Sequence, residues 1–210
     1  ISQTKQSLQS YTHKEITMKK SEILNELKNE CQNCHKCELG NTRTNIVFSD
    51  GNPDSAKYIL VGEAPGANED LTGTPFVGRA GKLLNEFLEQ SGISRENDLY
   101  IINTVKCRPP ENRVPKDSEK SACRNYIETQ IKTVDPKVII LCGATALQSF
   151  YPNKTPISKI RGQWLKIEVC GKEYNAMAIF HPSYLLRNHS TEIGKPRWLM
   201  MEDLKNIKNK

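Results

Sequence analysis

Three polar residues in this sequence stand where apolar runs end, and their side chains are of types that enzymes use. Glu63, Asn103 and His181 each lie at or just beyond the end of such a run. A carboxylate can orient water, an amide can hydrogen-bond a substrate, and an imidazole can stabilise a developing negative charge. Each also has an ordinary alternative, because acids, asparagines and histidine–proline pairs are common in solvated turns.

Closely spaced cysteines form a second group suited to chemistry. Seven cysteines are present, and Cys31, Cys34 and Cys37 form two overlapping Cys-x-x-Cys spacings. Thiolates at such spacings hold zinc or iron–sulfur clusters. Alone these residues make only part of a metal site, and together with His35 they are also compatible with a zinc-stabilised binding domain.

The cysteine count also bears on the compartment of the protein. An apolar run of about 18 residues, the length of a membrane span, is not found, and nothing resembles a signal peptide. An odd number of cysteines without a secretion signal favours reduced thiols that serve metal binding or packing. We therefore expect a cytoplasmic protein with no membrane partner.

The elements that must position these residues alternate between strand and helix. Continuous apolar runs are typical of strands buried on both faces of a parallel sheet. Four such strands are predicted, at 58–62, 99–105, 137–143 and 176–180. Apolar residues at helical spacing and local capping residues predict helices at 21–30, 79–92, 115–134, 144–150 and 196–208. An alternating segment within 156–174 predicts a hairpin.

This alternation predicts an α/β fold, a three-layer α/β/α sandwich around a four-stranded parallel sheet. Ligands of such sheets bind in the crevice beyond the carboxyl ends of the strands. Glu63, Asn103 and His181 are therefore expected to converge at one edge of the sheet. Convergence of three such side chains favours a functional site over three unrelated turns.

Length and charge place broader bounds on the protein. The chain of 210 residues is long enough for one generous domain. Residues 1–20 are expected to be a flexible N-terminal extension, because most of them are polar and lack a periodic apolar pattern, and residues 21–210 are expected to form the domain. The net charge of +6 is compatible with a polyanionic partner, although many basic proteins bind none.

Four motifs in the chain resemble those of the family-four uracil-DNA glycosylases, the iron–sulfur branch of that superfamily. They are GEAPG at 62–66, PFVG at 75–78, NTVKCRPP at 103–110 and HPSYLLR at 181–187. The resemblance covers about residues 31–205, and the order of the motifs makes it specific. It implies a single uracil-DNA glycosylase-like domain that flips uracil out of DNA and hydrolyses its N-glycosidic bond, leaving an abasic site for base excision repair.

The resemblance also implies a cofactor. Members of the family hold a 4Fe-4S cluster with cysteines that match Cys34, Cys37, Cys107 and Cys123 in this chain. Soft thiolate ligands suit iron in such a cluster. Because these cysteines come from distant segments, we expect the cluster to have a structural role.

The resemblance assigns roles around the base. Phe76 matches the residue that stacks on the flipped base, although a core position is its ordinary alternative. Asn103 matches the residue that reads the pyrimidine edge, and His181 matches the histidine that contacts uracil O2. Glu63 is a catalytic candidate that orients water or stabilises the positive sugar. The family-one enzymes carry their water-activating aspartate one position later, where this chain has Ala64.

Further residues are expected to contact substrate or DNA by the same resemblance. Gly62, Ala64 and Glu69 belong to the substrate-binding wall. Leu185, Leu186 and Arg187 are expected to form a loop that enters the minor groove, with an apolar wedge filling the gap left by the flipped base. The implied partner is uracil-containing DNA, single- or double-stranded, bound by a monomer.

One alternative of another class stays open beside the zinc domain. An iron–sulfur nucleic-acid-binding or electron-transfer protein without glycosylase activity would keep the cysteines. It would have no need of Glu63, Asn103 or His181 at one edge of the sheet. Uracil release and the position of these three residues therefore separate the two readings.

Overall fold

The computed structural model describes residues 18–152 and 155–210 of the chain. Its strands are β1 (Asp50–Gly51), β2 (Tyr58–Gly62), β3 (Leu99–Asn103), β4 (Val138–Cys142), β5 (Trp164–Val169) and β6 (Lys172–Ile179). Its α-helices are α1 (Lys20–Gln32), α2 (Ala67–Thr72), α3 (Arg79–Ser91), α4 (Asp117–Val134), α5 (Ala144–Phe150), α6 (Ile157–Ile160), α7 (Pro182–Leu185) and α8 (Pro196–Lys208). An N-terminal extension was expected over residues 1–20, and its residues 1–17 lie outside the described residues.

The strands of the described residues form one mixed sheet in the order β1-β3-β2-β4-β6-β5. The four inner strands run parallel to one another. Strands β1 and β5 pair antiparallel at the two edges. The chain is therefore α/β as expected, but its sheet is mixed and has six strands in the described residues rather than four parallel ones.

The edge strand β5 accounts for much of this difference. The predicted hairpin does not stand apart from the sheet, because its second strand continues as the last parallel strand. Consequently β6 begins at Lys172, earlier than the predicted residue 176. The turn is made by Cys170 and Gly171, whose φ angles are 50° and 76°. Side chains along β5 alternate between exposed and buried, as one face of an antiparallel edge strand meets solvent.

Helices cover both faces of the sheet. Successive side chains of a strand point to opposite faces, so β2 contributes to two apolar clusters. Ile59 and Val61 pack in a cluster with residues of α1, α4 and α5. Tyr58 and Leu60 pack in a second cluster with residues of α3, α7 and α8. No helix in the described ranges is both long enough and apolar enough to cross a membrane.

The carboxyl ends of the inner strands meet at one edge of the sheet. Gly62 at the end of β2 is in register with Asn103 at the end of β3. Cys142 at the end of β4 is in register with Ile179 at the end of β6. The segments that follow these four strand ends therefore surround a common space.

Candidate active site

A cavity of about 450 Å³ opens at this carboxyl edge. The sequence-predicted residues that line it are Glu63, Ala64, Glu69, Phe76, Asn103, His181 and Arg187. Part of the remaining wall comes from Pro109, Asn112 and Arg113 in the loop that precedes α4. The fold thus brings the end of β2, the end of β3 and the segment after β6 around one space, as the sequence predicted.

Phe76 holds a backbone conformation that its surroundings must maintain. Its φ angle is 54°, in the left-handed region that residues with side chains disfavour. The Arg95 guanidinium donates to the Phe76 carbonyl oxygen at 3.0 Å and pairs with the Asp50 carboxylate at 2.8 Å. The Phe76 ring is mostly buried, and its centroid lies 5.8 Å from that of the His181 ring. The ring therefore both packs in the core and forms one wall of the cavity.

Gly62 allows Phe76 and Asn103 to approach each other beside the end of β2. A Cβ atom at position 62 would lie 2.3 Å from Asn103 Oδ1 and 2.6 Å from Phe76 Cζ. Both distances are far shorter than van der Waals contact. The glycine predicted for the substrate-binding wall therefore acts by leaving room for two side chains of that wall.

We expect Gly62→Ala to destabilise the fold and displace these side chains. Overpacking of a closely packed site costs about 1–3 kcal/mol in the free energy of unfolding. Denaturant-induced unfolding would measure the loss. Gly78→Ala is the matched control, because its Cβ would come no closer than 3.2 Å to any neighbouring atom, here Glu69 Oε1, and should cost less. Equal stability losses in the two variants would contradict the steric account.

Asn103 presents a buried polar atom that the protein itself does not satisfy. The residue is only 2% exposed, and its Oδ1 has no hydrogen-bond partner within the described part of the chain. A buried amide oxygen without a partner costs about 1–3 kcal/mol, so proteins seldom keep one without a use. Asn103 lines the cavity, and a cavity occupant that reaches this oxygen would supply the missing hydrogen bond.

His181 is held as a neutral ring in one tautomer. The backbone N–H of Ser183 donates to His181 Nδ1 at 3.2 Å, and Ser183 Oγ lies 2.8 Å from the same nitrogen. Since a backbone N–H can only donate, Nδ1 accepts and the proton of the neutral ring is on Nε2. Burial lowers the pKa of His181, and it outweighs the opposing charges of Glu63 and Glu69. The ring therefore offers an N–H donor on its Nε2 side.

Glu63 is held at both its backbone and its side chain by threonine hydroxyls. Thr104 Oγ1 donates to the Glu63 carbonyl oxygen at 2.6 Å. Thr145 Oγ1, at the start of α5, donates to the carboxylate oxygen Oε2. The structure gives the second carboxylate oxygen, Oε1, no hydrogen-bond partner within residues 18–152 and 155–210. This carboxylate therefore keeps one oxygen available to the cavity.

Glu69, unlike Glu63, is held by hydrogen bonds from backbone N–H groups. It accepts hydrogen bonds from the backbone N–H groups of Gly66, Val77 and Gly78, at 3.1, 3.0 and 2.8 Å. These bonds tie the loop after β2 to the loop that carries the Phe76 ring. Glu69 thus lines the cavity as expected, and it also holds the cavity wall together.

The segment after β6 differs from expectation at one residue. Leu185 is fully buried and packs in the same apolar cluster as residues of α3 and α8. Its location in the core is a correction to the expected role as a wedge in the DNA groove, because a core side chain cannot reach DNA. Leu186 is half-buried, and Arg187 is exposed and lines the cavity.

The four cysteines singled out by the resemblance come from three segments of the chain. Cys34 and Cys37 follow α1 and pack against the apolar cluster that contains Cys107, which follows β3, and Cys123, which lies in α4. Burial raises the pKa of Cys107 to about 12 and also raises that of Cys123, and the nearby cysteines add to both effects. Cys31 is buried beside this group, with its pKa likewise raised by burial.

Two cationic side chains lie beside these thiols. Arg43 Nη1 is 3.6 Å from Cys107 Sγ and donates to the Cys34 carbonyl oxygen at 2.7 Å. Lys106 is 1% exposed, and its Nζ donates to the Phe48 carbonyl oxygen at 3.1 Å. Burial lowers the pKa of Lys106 to about 8, against the effect of the nearby cysteines. A buried cation needs a negative partner, so the surroundings suit a site that carries thiolate charge.

A single-ion site is not formed by these side chains as they stand. Among the described residues, no group of three or more histidine, cysteine, aspartate or glutamate side chains is arranged to hold one metal ion. This includes the combination of Cys31, Cys34 and Cys37 with His35 that the sequence left open. The donor set nevertheless contains four thiols from three segments with two cations beside them.

Sequence reasoning missed two residues that position the site. Thr145 follows β4, and Glu63 follows β2, at the same edge of the sheet. Ligands bind at the carboxyl ends of parallel strands, so a search of the residues after each strand could also have found Thr145. Arg95 lies in the connection between α3 and β3, and no local pattern marks it. Its importance comes from contacts with a loop almost twenty positions earlier, which only the folded chain brings within reach.

Comparisons with known proteins agree with the motifs. The family model described as the Uracil DNA glycosylase superfamily matches residues 48–205, a range that contains all four motifs. A type-4 uracil-DNA glycosylase of Thermotoga maritima is 45% identical over 194 residues, which are 90% of this chain and 95% of the relative. Its counterpart from Archaeoglobus fulgidus is 43% identical over 169 residues, with 79% and 84% covered. That from Sulfurisphaera tokodaii is 38% identical over 190 residues, with 88% and 83% covered.

Proposed function

The chain belongs to the uracil DNA glycosylase superfamily, within its type-4 branch, and we propose that its activity is the release of uracil from DNA. One observation carries the proposal most directly. Asn103, whose Oδ1 is unsatisfied, lines the same cavity as the neutral His181 and the Phe76 ring at the carboxyl edge of the sheet. An aromatic wall, an acceptor and an N–H donor are the groups that a flat pyrimidine needs.

Base recognition rests on Phe76 and Asn103. The target nucleotide leaves the stack of bases to enter the cavity, at a cost of a few kcal/mol. Stacking on Phe76 offsets this cost by about 1–3 kcal/mol. Asn103 Oδ1 accepts from the N3–H of uracil, and its Nδ2 donates to O4. Cytosine has neither an N3–H nor an O4 acceptor, so a site built for uracil rejects it by up to about 10⁴–10⁵-fold.

Bond cleavage rests on His181 and Glu63. The bond between C1′ of the sugar and N1 of uracil breaks, and its electron pair leaves with the base. The Nε2–H of His181 donates to uracil O2 and stabilises the negative charge of the leaving base. Glu63 orients a water molecule, whose oxygen forms the new bond to C1′. The released proton passes to the Glu63 carboxylate and finally to the uracil anion, so that free uracil and an abasic site remain.

DNA contacts outside the cavity are assigned to the segment that follows α7. Leu186 is the remaining apolar candidate for filling the gap in the base stack, since Leu185 belongs to the core. Arg187 is exposed and lines the cavity, which supports its assignment as a residue that binds a phosphate. DNA that contains uracil is thus the proposed partner, bound by a monomer in the cytoplasm.

A 4Fe-4S cluster held by Cys34, Cys37, Cys107 and Cys123 is the proposed cofactor. The four thiols, their burial and the neighbouring Arg43 and Lys106 cations support this assignment. The four cysteines would hold the cluster between the loop after α1, the segment after β3 and α4, and would thereby stabilise the segment whose Pro109 and Arg113 line the cavity. Residues 21–210 then form one domain around the cluster and the cavity.

An assay of abasic sites tests the proposed function. Oligonucleotides with one uracil, single-stranded or paired with guanine or adenine, would be incubated with the iron-loaded protein and then treated with alkali. We expect cleavage at the uracil and none at thymine or cytosine in the same position. If the iron-loaded protein binds the uracil-containing DNA and leaves every strand alkali-stable, the proposal fails in favour of a nucleic-acid-binding protein.

Arg95→Ala is expected to impair base binding by releasing the Phe76 loop. The guanidinium donates to the carbonyl oxygens of Pro75 and Phe76 at 2.7 and 3.0 Å, and these bonds maintain the strained loop. Loss of stacking worth about 1–3 kcal/mol predicts a fall in affinity for free uracil of about 5–150-fold. Calorimetric titration with uracil measures it. Asn85→Ala removes an exposed acceptor of the same guanidinium and is the matched control.

A further inference from the structure

We propose that Thr145 is a positioning residue that sets the Glu63 carboxylate for catalysis. Thr145 Oγ1 donates to Glu63 Oε2, and Thr145 itself is 8% exposed. Glu63 lines the cavity, whereas Thr145 lies behind it at the start of α5. The inference rests on the proposed function, because it concerns how Glu63 serves that reaction.

The two glutamates of the cavity wall show why this hydrogen bond matters. Glu69 accepts three backbone N–H groups through both oxygens and is committed to holding loops. Glu63 accepts one hydroxyl on Oε2, and its Oε1 has no partner in the described ranges of the chain. One oxygen is thus held and the other remains available to a water molecule. A glutamate without the hydroxyl would sample several rotamers and would hold a water molecule less precisely.

Thr145 is itself rigidly placed, which a positioning residue requires. It stands two positions after Gly143, whose φ is 95° and whose added Cβ would lie 3.0 Å from the His181 Cβ. The Gly143 N–H donates to the Ile179 carbonyl oxygen at 3.0 Å. The start of α5 therefore sits against the segment that carries His181. In the proposed mechanism Glu63 and His181 act on opposite sides of the reacting bond. Both therefore lie against the turn between β4 and α5.

Substitution of Thr145 by valine removes the hydroxyl while keeping the shape of the side chain. We expect Thr145→Val to lower kcat for uracil release by about 10–100-fold, the range that loss of geometric alignment produces. KM and the affinity for abasic-site DNA should stay within about 2-fold, because binding does not use this hydroxyl. Thr145→Ser keeps the hydroxyl and should restore kcat to within about 3-fold of the wild type.

A double-mutant cycle with Glu63→Ala separates positioning from a general structural role. If Thr145 acts through Glu63, Thr145→Val should not lower kcat further in the Glu63→Ala background. Ser149→Ala is the control on the same helix, since Ser149 Oγ donates to the Thr145 carbonyl oxygen at 2.8 Å and not to Glu63, and kcat should be unchanged. Circular dichroism and iron content of each variant establish that all are folded and loaded.

The outcomes distinguish failure of this inference from failure of the proposed function. A wild-type protein that releases no uracil overturns the proposed function. A wild-type protein that releases uracil, with Thr145→Val equally fast, overturns only the role of Thr145. The same conclusion follows if Thr145→Val costs as much in the Glu63→Ala background as in the wild type, or if Thr145→Ser is as slow as Thr145→Val.

Discussion

Replacement of His181 by alanine is expected to lower the single-turnover rate of uracil release by about 10²–10³-fold, the usual effect of removing one donor to a developing anion. The Nδ1 atom of His181 accepts from Ser183, so the Nε2–H is the donor that is lost. Binding of abasic-site DNA should persist, because the donor serves the leaving base. Rapid-quench measurements with enzyme in excess isolate the chemical step.

The same histidine predicts the pH dependence of the wild-type rate. Burial lowers the pKa of His181 below its ordinary value of 6.5, so the neutral ring is the form present at and above that pH. The His181 contribution to the rate should therefore not decline as the pH rises through 6.5. In the folded state the ring gains its proton only below 6.5, and stability contributed by the neutral ring is lost as the pH falls toward the lowered pKa.

A matched control is available on the same segment. His189 is exposed, and its Nδ1 lies 3.2 Å from Arg197 Nη2, away from the cavity lining. His189→Ala should leave the single-turnover rate within about 2-fold of wild type, since it contacts no group in the reaction. A rate that falls equally in both variants, or a wild-type His181-dependent rate that disappears above pH 6.5, would argue against the neutral donor.

Replacement of Cys107 by alanine is expected to have the largest effect on stability. Cys107 lies in the segment between β3 and α4, so the proposed cluster would lose a ligand from a central segment. Loss of a structural metal site belongs to the few changes that cost more than about 4 kcal/mol in the free energy of unfolding. We expect loss of iron and of the visible absorbance that thiolate-bound iron produces, with a much lower midpoint of thermal unfolding.

Two other cysteines serve as controls for this variant. Cys170 is exposed at the β5–β6 turn, so Cys170→Ala should retain iron and stability. Cys31 is buried beside the cluster cysteines without matching a ligand position, so Cys31→Ala should retain iron and lose only packing energy. Full iron content in Cys107→Ala, or loss of iron in Cys31→Ala, would show that the ligand set is different.

The inner strands could be predicted because they are buried on both faces and read as continuous apolar runs. The sequence predicted β2 with its observed bounds, and β4 differs by one residue at each end. The run 99–105 continues past Asn103, where β3 ends, because Val105 is also buried without belonging to the ladder. The pairing of β1 at the other edge could not be predicted, since β1 has only two residues and no apolar run marks it.

The cavity could be predicted in part because parallel strands share a carboxyl edge. That rule placed Glu63, Asn103 and His181 together, and the resemblance added Phe76. Leu185 was misassigned because two adjacent leucines at a helix end do not reveal which one turns inward. Groups that act on other residues, such as the Arg95 guanidinium, depend on contacts between distant segments and leave no local pattern.

The appearance of free uracil is the most direct test of the proposed activity. Iron-loaded protein would be incubated with DNA that carries one uracil, and the released base would be quantified by liquid chromatography with mass detection. The proposed function predicts one free uracil for each abasic site formed, with no release of thymine or cytosine from matched DNA. Binding of the uracil-containing DNA without any release of uracil would contradict it.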